Sequence, residues 1–102
     1  MPKLIKIYWR DIPSQVIAKQ GRKAAKKMLD QRFQDAIDSA AMRAGKGTSD
    51  AYMEDWTRHQ EDVEGDIEEL AATTVSALEN EFPEDRLRQL TKAKGFLADM
   101  SD

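Results

Sequence analysis

The sequence predicts an α+β domain: a small, mainly antiparallel sheet, built from an N-terminal hairpin plus one or two further strands, packed against two or three helices. Three observations predict it. Residues 4 to 10 alternate in polarity with the period of two of a half-buried strand. Two later stretches, beginning at Asp30 and Asp66, space their apolar residues by three and four behind an acidic cap, as amphipathic helices do. At 102 residues, 40% of them hydrophobic, the chain suffices for one modest core and no second one. The domain is expected to span residues 1 to 95, with a flexible tail over 96 to 102.

The first strand reads Ile5, Ile7 and Trp9 on one side and Lys6, Tyr8 and Arg10 on the other. The apolar set is expected to face the helices, leaving Tyr8 and Arg10 on the open side of the sheet. A turn is expected over Asp11 to Ser14, because Pro13 fixes its own φ and biases Ile12 towards an extended conformation. Gln15 to Gln20, centred on Val16 and Ile17, supplies the second strand, and Gly21 ends it. Ala24 to Leu29 is open to a third strand or an early helical turn, and the strand is favoured.

Asp30 is a good N-cap for a helix that buries Phe33, Ala36, Ile37, Ala40, Ala41 and Ala44 and ends at Gly45 or Gly47. Between residues 48 and 65 Tyr52, Met53 and Trp56 sit among acids, and a fourth strand is preferred to a short helix. Asp66 with Glu69 resembles a capping box and opens a helix with a stripe of Ile67, Leu70, Ala71, Thr74, Leu78 and Phe82. Pro83 suits the start of a last helix carrying Leu87 and Leu90, which Gly95 closes.

Composition narrows the chemistry. The absence of cysteine excludes disulfides and thiolate catalysis within this chain. No stretch approaches the roughly 20 apolar residues of a membrane span, and the N-terminus has no signal-like run, so a cytoplasmic location is expected. His59 is the only histidine and has no second one to pair with. The alternating acids Asp62, Glu64, Asp66 and Glu68 lack the glycine and terminal glutamate of a calcium loop, so no metal is assigned. Gly45-Lys46-Gly47 follows a helix instead of opening one and makes no phosphate cradle. No cofactor is implied, and enzymatic activity is not expected.

The formal charge of −3 conceals two opposite halves. Residues 1 to 47 carry 11 Lys and Arg against 4 acids, and residues 48 to 102 carry 5 against 15, so the halves hold +7 and −10. Such polarity suits faces that meet different partners.

The string Tyr8-Trp9-Arg10-Asp11-Ile12-Pro13, with Val16-Ile17-Ala18, Arg32-Phe33, the run from Ala40 to Gly45 and Ser49-Asp50-Ala51-Tyr52, resembles the small bacterial family labelled "virulence factor". The resemblance covers residues 7 to 45 and 49 to 56; the acidic stretch after residue 60 matches only in character. The label describes a phenotype, and the family offers no catalytic motif to carry over. What the resemblance implies is a bacterial accessory protein. Relatives occur beside an iron-sulfur scaffold-like domain with helical repeats, and as single proteins associated with corrinoid and tetrahydrofolate methyl transfer.

These observations lead to a non-catalytic interaction module that docks on a larger cytoplasmic enzyme assembly, of a one-carbon or metallocofactor system. Tyr8, Arg10, Asp11 and Arg22 are the residues expected to meet the protein partner, since aromatics and arginine dominate interface hot spots. The plainer alternative makes Tyr8 and Trp9 core and Arg10-Asp11 a charged turn. A nucleic-acid-binding regulator using the basic half is the second functional reading, and a binder or enzyme of a small anionic ligand is the third.

Overall fold

The structure, a computed structural model, describes residues 1–45 and 52–96. Its elements run β1 (Lys3–Trp9), β2 (Ile12–Gln20), β3 (Lys23–Met28), α1 (Gln31–Arg43), β4 (Trp56–Asp62), α2 (Ile67–Glu81) and α3 (Glu84–Lys92). The strands form one antiparallel sheet in the order β3-β2-β1-β4. The α+β class is that expected, and the three helices fall within the two or three expected. The third strand over Ala24 to Leu29 and the fourth strand before residue 65 are both present, the latter preceded by a short helical turn at Tyr52–Met53. The expectations placed on residues 48 to 51 and on Gly47 lie outside the described residues.

The first turn is tighter than expected. Only Arg10 and Asp11 connect β1 to β2, and Ile12, Pro13 and Ser14 already belong to the strand. Pro13 stands opposite Tyr8 and Gln15 opposite Ile7, so Ser14 is the extra residue of a bulge. A bulge tolerates the missing N–H of proline and adds local twist. The Ser14 carbonyl accepts the amide of Leu29 at 3.1 Å, which fixes the end of β3 where the chain leaves for α1.

Residues directly opposite one another in an antiparallel pair share a face. One row is therefore Ala25, Ala18, Leu4 and Glu61, and the next on the same face is Lys27, Val16, Lys6 and His59. Leu4, Val16 and Ala18 belong to the core, with Ala25 packed against it. The other face holds Lys26, Ile17, Ile5 and Gln60 in one row and Met28, Gln15, Ile7 and Arg58 in the next. Ile5 is buried, at 2% exposure, but stands outside the cluster that Leu4, Val16 and Ala18 share with the helices, and Ile7 is only partly buried. The expected facing of β1 is thus corrected by one residue along its length up to Ile7. Past the bulge, at the twisted tip, Trp9 and Ile12 are fully buried in the core, as expected for Trp9.

The helices obey their sequence signals. Asp30 accepts the Arg32 amide at 3.3 Å, and α1 buries Phe33, Ala36, Ile37, Ala40 and Ala41. Asp66 accepts the Glu69 amide at 3.1 Å, and α2 buries Ile67, Ala71 and Leu78. Pro83 is the residue just before α3, whose Leu87 and Leu90 are buried and which Gly95 closes at φ +91°. Helix α2 lies across β2 and β3, while α1 packs on β2 and on α3. The alanines at 18, 25 and 71 let α2 approach the sheet closely.

Candidate functional site

The four residues expected to meet a partner fall in two places. Tyr8, Arg10 and Asp11 are at the β1–β2 tip, and Arg22 is exposed in the β2–β3 turn. The nine residues of β2 separate these ends by roughly 25–30 Å. They therefore do not form one patch.

At the tip, Arg10 has φ +54° and a side chain only 9% exposed. Its guanidinium lies over the rings of Trp9 and Phe96, 4.9 and 4.4 Å from their centroids. Nε donates to Asp55 Oδ2 at 3.1 Å and one terminal nitrogen to the Lys94 carbonyl at 2.7 Å. The backbone continues the docking: the Arg10 amide donates to the Asp55 carbonyl and the Asp11 amide to that of Gly95, both at 2.9 Å. Trp9 donates from Nε1 to the Tyr52 carbonyl at 2.9 Å and stacks on that residue's ring. The tip therefore ties the sheet to the entry of β4 and to the end of α3.

Tyr8 is half-buried on the Leu4–Lys6 face and meets the edge of His59, with ring centroids 5.2 Å apart. Burial, then the nearby charges of Glu81, Asp11 and Glu61, pushes its hydroxyl above the usual phenol range. A protonated phenol against an exposed imidazole makes no activated nucleophile at neutral pH. Among the described residues no three histidine or carboxylate side chains gather as a metal site would require.

A groove between α1 and α3 is lined by Arg32, Asp35, Ser39, Glu84, Arg88 and Thr91. Its charges are internally matched, with Arg88 3.7 Å from both Glu84 and Asp85 and Arg32 held to Asp30. It offers no net attraction to an ion.

The open face of the sheet differs from both. Ile5, Ile7 and Ile17 form its aliphatic centre, and Lys3, Lys19, Lys26 and Arg58 surround them. A dip of about 270 Å³ has Ile5 at its floor, with Lys3, Lys19, Arg58 and Gln60 around it. No helix residue lines it. Sequence reasoning missed Ile17, Lys19, Lys26 and Arg58 as a group. The signal that unites them is the cross-strand register, since each stands in a row with β1.

A four-stranded antiparallel sheet packed against three helices defines a small α+β domain. The chain matches the family described as Virulence factor over residues 7–91, and it belongs to that family. The match continues through α2 to Thr91 in α3, well past the residues that carry the resemblance. Neither the curated proteins nor the solved structures supply a match to the chain.

Proposed function

We propose that this protein is a non-catalytic, cytoplasmic interaction module that docks on a larger enzyme assembly, in keeping with the one-carbon or metallocofactor setting its family resemblance implies. The observation that supports the reading is the open sheet face. There the partly exposed Ile7 and Ile17 lie beside the buried Ile5 and among Lys3, Lys19, Lys26 and Arg58, while the polar groups elsewhere are paired with each other or stand apart. Interfaces bury such apolar centres and keep charge at the rim. No helix among the described residues is long and apolar enough to cross a membrane. Asp11 at the tip and Arg22 at the far turn stand at the two ends of the sheet, Arg10 holds the tip in shape, and Tyr8 lies on the opposite face.

The cations of the same face favour nucleic acid as a second reading. It lacks the aromatic platform on which single strands stack, because Trp9 is core and Tyr8 belongs to the helix-covered side. Affinity capture of the tagged full-length chain from its native cells at low salt tests the two. Recovery of the subunits of one enzyme in fixed proportion is the expected result. Recovery of nucleic acid in their place moves the assignment to the second reading, and recovery of neither overturns the module.

A further inference from the structure

We infer that the dip over Ile5 is a docking site for an acidic peptide segment that carries one aliphatic or aromatic anchor. The inference rests on the interaction-module reading and gives it a surface and a partner chemistry.

The dip, about 270 Å³, is at the small end for metabolite pockets, which commonly run from about 300 to 1,000 Å³. It is open to solvent along the sheet and suits one side chain of an extended segment. The buried Ile5 closes its floor, the exposed Met1 stands beside it, and its wall is cationic: Lys19 and Arg58 are exposed and make no ion pair among the described residues. Lys3 meets Asp62 at 3.8 Å, but both side chains are more than half exposed, a pairing that holds Lys3 only weakly. Lys26 extends the positive side along the Ile17–Ile5 row. Carboxylates on either side of an apolar anchor complement this arrangement, and charge complementarity of this kind fixes register and speeds encounter.

A second copy of the chain fits less well. Face-to-face pairing would set Lys19 and Arg58 against their own equivalents. Pairing the basic face with a neighbour's acidic half is head-to-tail and, unless the rotation closes, propagates into filaments.

Selection of a displayed random-peptide library against the full chain, followed by amide chemical-shift mapping with the enriched peptides, tests the site. Enrichment of Asp- and Glu-flanked apolar anchors is expected, with the largest shifts at Ile5, Ile17, Lys19 and Arg58. Affinity should fall at least tenfold in Lys19→Glu and in Arg58→Glu and should weaken with added salt, while both variants melt as the parent does. Lys26→Glu, farther along the face, should weaken it less and serves as a second variant should either of the others be misfolded. Enriched peptides that map to the α1–α3 groove, or that bind the charge-reversed variants equally well, overturn this site and leave the module reading standing. Tighter binding of a single-stranded oligonucleotide or of anionic lipid vesicles than of any selected peptide overturns it as well, as does failure of the library to yield an acidic consensus.

Discussion

Arg10 shows how far one residue's role can depart from its exposure in the sequence pattern. A left-handed backbone at a non-glycine residue costs roughly 1–2 kcal/mol, and here it is maintained by contacts on every side of the guanidinium. The planar cation stacks on Trp9 and Phe96 while its edge bonds Asp55 and the Lys94 carbonyl, a combination lysine cannot reproduce. Gly95 completes the contact, since a Cβ there would come within 3.0 Å of Trp9 Cζ3 and 3.2 Å of Arg10 Cδ. Removing the side chain forfeits the stacking and a charge-assisted bond and leaves Asp55 with less compensation, a loss of about 2–3 kcal/mol. Arg10→Ala keeps the strained φ and Arg10→Gly relieves it. The glycine variant should therefore unfold at the higher urea concentration of the two, and the reverse order would show that the backbone there is not strained.

At the scale of the element, β1 is the instructive case. Its sequence, KLIKIYW, places apolar residues on both parities: Leu4 and Tyr8 on one, Ile5, Ile7 and Trp9 on the other. Alternation therefore identifies a strand without choosing its inward face. The neighbouring strands choose, because the row through Leu4 offers Ala18 and Ala25, small enough for α2 to settle on, whereas the row through Ile5 offers Ile17 and Lys26. Leu4→Ala should cost about 2–5 kcal/mol, the range for a truncated core leucine, and Ile7→Ala less than half as much. Equal losses in chemical denaturation would mean that the two faces have been exchanged. The helices posed no such choice, since their caps at Asp30 and Asp66 and the spacing behind them are local signals; only at their ends do the expected stripes run long, where Ala44 and Phe82 prove to be C-caps.

Over the whole molecule, Trp9 is where the separate pieces meet. It is 0% exposed and touches Tyr52 ahead of β4, Arg10 in the turn and Gly95 after α3. Trp9→Ala should cost roughly 3–5 kcal/mol, a large part of the 5–15 kcal/mol expected for an entire domain, and should lower the melting temperature of all elements together. A variant that melts like the parent by circular dichroism would exclude this joint as a keystone of the core. The charge halves read from the sequence also meet here in part: β4 beside β1 brings Asp62 to Lys3 and Glu61 to Lys6, at 3.8 and 4.0 Å. The sequence by itself determined the first two strands, the capped helices and the opposed charges, because these follow from rules that act over a few neighbouring residues. Only the tertiary structure decided that Arg10 is enclosed, that Tyr8 and Arg22 lie at opposite ends, and that Ile5, Ile17, Lys19 and Arg58 share the face opposite Leu4, Val16 and Ala18. Each of those outcomes depends on which distant segment packs against which row of the sheet, and no local periodicity carries that information.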